Sequence, residues 1–143
     1  MSRYLLDTSV VSAATKLRPS PALTAWLASQ LDTDLFICAL TVAEIRRGIL
    51  EKEPGKKRRA LEQWFAGREG PQSLFRERVL AFDERAALEW ARLMAEGTAL
   101  GRPRSALDMV IAAVAAANRC TVVTANERHF QGAIDFVNPL SAR

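Results

Sequence analysis

The chain has 143 residues, of which 49% are hydrophobic and 25% charged, the balance of a globular domain able to bury its own core and not of a disordered or fibrous chain. Its net charge of +4 permits a polyanionic partner without establishing one. The longest unbroken apolar run, Met109–Ala117, is about half of what a membrane span needs, so no membrane segment is expected.

In chain order, Met1-Ser2-Arg3 leads straight into Tyr4-Leu5-Leu6 and an acid, with no long apolar region and no cleavage site. No leader peptide is read there, and a cytoplasmic location is the expectation. Tyr4-Leu5-Leu6 is a short apolar strand ending at Asp7. Pro21 opens a helix on which Leu23, Trp26, Leu27 and Leu31 recur at helical spacing. Leu35-Phe36-Ile37-Cys38 is the second strand, and Thr41 starts a helix running to about Glu51. Pro54-Gly55 breaks it. A basic helix follows with Leu61, Trp64 and Phe65 on one face. Arg78 to Phe82 reads as a third strand, and Asp83 is placed to cap a long helix from Glu84 to about Leu100. After the turn Gly101-Arg102-Pro103, Ser105 begins a helix apolar nearly all round, hence buried. Thr121-Val122-Val123 and Asp135-Phe136-Val137 are the last two strands.

Short, uniformly apolar strands alternating with helices predict an α/β chain, a three-layer α/β/α sandwich around a parallel sheet of about five strands. No repeat, low-complexity tract or linker divides it, so residues 1–143 are read as one domain. In such a sheet ligands bind beyond the carboxyl ends of the strands, near a topological switch point.

Two acids fall at that edge directly, and a third reaches it only if the helix before the fourth strand packs with its N-terminal end over the edge. Asp7 directly follows the first strand, Glu44 lies in the first turn of the helix after the second, and Asp108 in the first turn of the buried helix that feeds the fourth. Thr124 and Asn126 follow the fourth strand. Each acid has a structural reading as well. Thr41-Val-Ala-Glu44 and Ser105-Ala-Leu-Asp108 both fit a capping box, and Asp7 can cap a helix beginning at Thr8. Against three independent caps, Glu44 and Asp108 are flanked by apolar residues and should be partly desolvated. Gathered carboxylates of that kind favour a neutralising cation.

Cys38 and Cys120, the only cysteines, lie in or beside strand-like runs and read as buried thiols. With a single histidine, His129, they cannot form a tetrahedral zinc site without carboxylate help. Any metal should therefore be hard and oxygen-liking, of which magnesium is the expected case. His129, ahead of Phe130, reads as a packing or local capping residue. Arg46, Arg47, Lys52, Lys56, Lys57, Arg58 and Arg59 crowd one stretch, and Arg102 with Arg104 form a second basic group. Both are read either as solvated faces or as contacts to a phosphate backbone. Trp26, Trp64 and Phe65 belong to apolar stripes and read as core or interface, not as base-stacking platforms.

These segments also resemble a known family. Leu5-Leu6-Asp7-Thr8-Ser9-Val10-Val11 resembles the opening motif of PIN-domain nucleases. Leu40-Thr41-Val42-Ala43-Glu44-Ile45-Arg46-Arg47-Gly48 resembles the second acidic motif, Ser105 to Ala113 the third, and Thr124-Ala125-Asn126-Glu127-Arg128-His129-Phe130 the fourth. The likeness continues to Val137-Asn138-Pro139. It is greatest to the toxin half of VapBC-type toxin–antitoxin pairs, including the branch with a Glu-x-Arg-Arg-Gly helix. The resemblance implies a divalent-metal endoribonuclease, using Mg2+ or Mn2+, that is inhibited by a small antitoxin and works as a homodimer. It carries metal-binding roles to Asp7, Glu44 and Asp108. Asn126 stands where many members have Asp, which removes one charge from any second metal site and favours a single metal. Thr8, Ser9, Thr124, Arg102 and Arg104 are expected near substrate.

Three other readings fit the residues less well. A haloacid-dehalogenase-type phosphotransfer site needs a second Asp where this chain has Ser9. A receiver-type domain needs neighbouring acids and a late Lys that are not evident. A degenerate PIN fold that binds nucleic acid or a partner without cutting draws its support from Asn126.

Overall fold

The structure is a computed structural model that describes residues 2–15 and 19–140. Of the domain expected over 1–143, residues 1, 16–18 and 141–143 lie outside the described residues. Strand β1 (Tyr4–Leu6) is followed at once by α1 (Thr8–Ala14), then by α2 (Pro21–Ala28), β2 (Leu35–Cys38), α3 (Ala39–Leu50) and α4 (Lys56–Ala66). The single-turn α5 (Pro71–Leu74) leads to β3 (Val79–Leu80), the long α6 (Glu84–Ala99), α7 (Ala106–Ala117), β4 (Thr121–Val123) and β5 (Phe136–Val137).

All four strand pairings are parallel, in the order β3-β2-β1-β4-β5. Leu5 lies opposite Phe36 on one side and Val122 on the other. Because successive strand residues face opposite ways, β1 splits its side chains between two cores. Leu5 packs with Phe36 and Val122 against α6 and α7, through Leu93, Met109 and Ala113. Leu6 packs with Ile37 and Val123 against α1 and α2, through Val10, Val11 and Leu23. Helices thus cover both faces, which is why the strands are apolar on both sides. Among the described residues no helix is long and apolar enough to cross a membrane.

The local start signals act as expected at several points. Ser20 accepts from the Leu23 amide ahead of Pro21, and Asp83 accepts from Ala86 at the start of α6. Several points differ from the sequence reading. Helix α3 begins at Ala39, not Thr41, because the Cys38 thiol accepts from the Leu40 amide and caps it. Leu31 lies beyond the end of α2 and is exposed. The third strand pairs only at Val79–Leu80, as an edge strand bonded along one side. The short α5 was not anticipated. It is tied in by Arg78, whose guanidinium donates to the carbonyls of Leu74, Leu35 and Asp32.

The chain order makes β1 the pivot. From β1 it moves outward through β2 to β3, then crosses back over the sheet through α6 and α7 to reach β4 and β5. Connections leaving β1 and β4 therefore diverge, and a crevice opens between their carboxyl ends. Helix α7 closes through Arg119 (φ 57), and the Cys120 amide donates back to Ala115. A helix that turns so tightly into a parallel strand runs antiparallel to it, so its first turn lies over the carboxyl edge. That is how Asp108 reaches the edge although its helix precedes its strand.

Candidate active site

Asp7 stands at the crevice. It is buried, and its backbone amide donates to the Val123 carbonyl at 2.9 Å, continuing the β1–β4 ladder. Its Oδ1 accepts from the Ser9 hydroxyl at 2.5 Å and from the Val10 amide at 3.1 Å; the second of these caps α1. Its Oδ2 accepts from the fully buried Thr124 hydroxyl at 2.5 Å. Thr124 in turn accepts from the Asn126 amide at 2.9 Å, and Ser9 from the Ala125 amide at 3.3 Å. Two hydroxyls thus splice the loop after β4 to the loop after β1, with the Asp7 carboxylate at the join. A carboxylate offers about four acceptor positions, and three are occupied, so one remains.

Glu44 belongs to a second group. Thr8 donates to Glu44 Oε1 at 2.6 Å and lies 3.1 Å from the buried Thr41 hydroxyl. A hydroxyl has one proton, so the chain of bonds runs Thr41 to Thr8 to Glu44. Because α3 begins at Ala39, Glu44 is past the first turn, and the capping box expected of Thr41 and Glu44 does not form. Its other oxygen has no hydrogen bond among the described residues, and it lines a cleft of about 270 Å³ with Thr8, Lys52 and Trp64.

Asp108 is the third residue of α7, and its amide donates to the cap Ser105 Oγ at 3.3 Å. Its carboxylate, a quarter exposed, meets His129 Nδ1 at 3.0 Å. The packing role expected of His129 falls to its neighbour Phe130, which is fully buried, while the imidazole reaches across to Asp108. A lone histidine beside the fourth motif was the available signal. Asn126 is exposed, and only its backbone bonds within the site.

The structure puts the hydroxyls of Thr8, Ser9 and Thr124 onto carboxylates, where their protons are not available to a substrate phosphate. Arg104 is similarly occupied. Its side chain is 10% exposed, bonded to the Leu93 carbonyl and Glu96 at 2.8 and 2.9 Å and facing the Gly132 carbonyl at 3.2 Å. Arg102 remains exposed. Of the basic stretch, Arg46, Arg47 and Arg58 pair with Glu62, Glu51 and Glu62. Lys52, Lys56, Lys57 and Arg59 have no ion pair among the described residues. Trp26 packs edge-on against Tyr4 with centroids 5.0 Å apart. Trp64 meets Phe65 in the same manner and shares the Glu44 cleft.

As a donor set, the three carboxylates offer hard oxygens only. Each retains acceptor capacity after its protein bonds are counted. Among the described residues no three His, Cys, Asp or Glu side chains come together as a group able to hold a metal ion. The oxygen-only chemistry of the donors matches magnesium, which needs one or two carboxylates, and not zinc. Cys38 and Cys120 are both buried free thiols, with burial pushing each thiol pKa up.

Residues 4–134 match the family description PIN domain. The chain is 35% identical over 136 residues to the VapC ribonuclease Y4jK of Sinorhizobium fredii, covering 94% of this chain and 96% of that one. It is 35% identical over 126 residues to the toxin FitB of Neisseria gonorrhoeae, covering 88% and 89%. Among solved structures it superposes on a chain of the FitAcB crystal structure from Neisseria gonorrhoeae with a TM-score of 0.89. That match has 33% identity and covers 97% of this chain and 99% of the other.

Proposed function

This chain belongs to the PIN-domain family, and from that premise we propose that it is a metal-dependent endoribonuclease, the toxin of a toxin–antitoxin pair, acting as a single nuclease domain. The observation that carries the reading is Asp7, a buried carboxylate fixed by Ser9 and Thr124 at the crevice between β1 and β4. A helix cap requires the bond to Val10 alone. The two further hydroxyls orient the carboxylate and leave one lone pair directed elsewhere. The relatives named a ribonuclease and a toxin support the same reading.

The reaction is hydrolysis of an RNA phosphodiester by water attacking in line with the leaving oxygen. Asp7 and Asp108 would hold one Mg2+, directly or through water, with Mn2+ able to take its place. The ion would supply Lewis acidity there, a lower pKa for water and countercharge for the phosphoryl oxygens. Glu44, held at one oxygen by Thr8, keeps the other for the ion or the attacking water. Asn126 orients a water. Its neutrality argues for a single ion. His129 fixes the orientation of Asp108, as an outer hydrogen-bond partner does for a metal ligand.

The partner is a small antitoxin. The α3–α4 cleft with Glu44 at one side and Trp64 at the other fits an inserted segment. A homodimer is part of the proposal.

The non-cutting alternative rests on the exposed, neutral Asn126. Induced expression in a bacterial host separates the two. Wild type is expected to arrest growth, and Asp7→Asn to permit growth while still capturing the antitoxin encoded beside it. Arrest that survives Asp7→Asn refutes the catalytic assignment.

A further inference from the structure

Beside Asp108 the surface opens into a cleft of about 480 Å³ whose walls include Arg102, Pro103, Arg128, His129 and Gln131. That volume lies within the roughly 300–1,000 Å³ of clefts that hold small organic ligands. Its charges divide into two kinds. Asp108 is engaged by His129, and Arg104 by Glu96. Arg102 and Arg128 are exposed and, among the described residues, have no side-chain hydrogen bond or ion pair. Two free guanidiniums on the rims of a cleft whose acid and remaining arginine are already paired make it a place for an anion. Planar forks of this kind suit phosphate oxygens. Leu100, 64% exposed, and Pro103 add an apolar wall.

The cleft is also built in advance. Gly97 lies inside α6, where glycine costs about 1 kcal/mol relative to alanine. A Cβ there would lie 3.0 Å from the Arg102 carbonyl oxygen and 3.0 Å from Arg104 Cγ. The missing side chain lets the Arg102–Arg104 turn lie directly on the helix, with the Arg102 amide donating to the Gly97 carbonyl at 2.9 Å. Arg104 then bonds to α6 and reaches the Gly132 carbonyl, holding the two walls together. Trp90 Nε1 fixes the first turn of α7 by donating to the Ala106 carbonyl at 2.9 Å.

We propose that this cleft is a subsite for the RNA nucleotide adjoining the cut bond, with Arg102 and Arg128 taking its phosphate from either rim. This rests on the nuclease reading of Asp108. It gives the strand a direction of exit from the acids, along the α6–α7 turn, and it makes Arg104 a residue that shapes the subsite without touching RNA.

The test is fluorescence anisotropy of a labelled mixed-sequence RNA 12-mer with the full chain in EDTA across a salt series, paired with a cleavage assay in Mg2+. Arg102→Gln and Arg128→Gln should each weaken binding about tenfold, the effect of one lost charge-assisted contact. Each should lower the logarithmic salt slope by about 0.7, the value for one phosphate on a single strand. Arg76→Gln removes the same charge before β3, at the opposite edge of the sheet, and should change neither quantity. Unchanged affinity and slope in both cleft variants, with unaltered thermal melts, overturn the subsite, including the case where they lose a protein partner instead. Wild type that binds RNA through Arg102 and Arg128 but never cleaves keeps the two arginines as an RNA-binding site and removes the nuclease reading, and with it the place of that site beside a cut bond. Wild type that cleaves while both variants bind normally does the reverse.

Discussion

Asp7 does three things with one carboxylate: it caps α1, it joins two loops through hydroxyls, and it keeps one lone pair free. Thr124 is the sharpest probe of the second role, since its fully buried hydroxyl gives to Asp7 and takes from the Asn126 amide. Thr124→Val leaves both partners unsatisfied and should cost about 1–3 kcal/mol in chemical denaturation, with RNA cleavage falling by more than tenfold. Thr124→Ser restores both bonds and should recover most of each. A second prediction concerns the thiols. Burial pushes Cys38 and Cys120 up, with the Glu44 charge adding to the effect at Cys38. Both should resist a thiol-reactive dye at pH 7 in the native protein and react fully in denaturant. The edge position of Asp7 was legible, because the helix start it caps directly follows β1, whereas that of Asp108 was not, because its helix precedes its strand. Nor were their partners. Thr124 is 117 positions from Asp7, and the reach of His129 to Asp108 depends on how α7 crosses the sheet.

At the level of elements, two glycines inside helices lead to opposite expectations. Gly48 of α3 has open space where a Cβ would stand, whereas Gly97 of α6 faces a backbone oxygen and the Arg104 side chain. Gly48→Ala should therefore stabilise the fold by up to about 1 kcal/mol through helix propensity alone. Gly97→Ala gains the same propensity but forces the α6–α7 turn away. Overpacking of that kind costs roughly 1–3 kcal/mol, so the net change should be destabilising by about 1 kcal/mol and accompanied by weaker RNA binding. Thermal melts of the two variants side by side check the pair. From sequence, helix existence was readable from apolar spacing and from start signals such as Pro21, Asp83 and Ser105. The start of α3 was not, because a thiol at Cys38 replaced the hydroxyl cap expected at Thr41, whose side chain is instead buried against Thr8. Arg104 was misplaced for a related reason. A cation next to a turn looks solvent-facing until the glycine across from it, Gly97, is seen to admit it.

For the whole molecule, the apolar strands required a sheet covered on both faces, and the alternation of Leu5 and Leu6 between two cores meets that requirement. The strand order β3-β2-β1-β4-β5 was not readable, since nothing local says that the chain crosses back after β3. That crossing creates the crevice at which Asp7 stands. If the acids share an ion, Mg2+ binds the folded chain and not the unfolded one. Saturating Mg2+ should then raise the wild-type Tm by a few degrees, and this increment should vanish in Asp7→Asn. The most direct measurement is cleavage of total cellular RNA by the purified, antitoxin-free protein, in Mg2+ or Mn2+, in EDTA, and with Asp7→Asn and Asp108→Asn alongside. The account predicts discrete fragments that require the metal and disappear in both variants. Intact RNA in either metal with a well-folded wild type, or fragments that persist in Asp7→Asn, would contradict it.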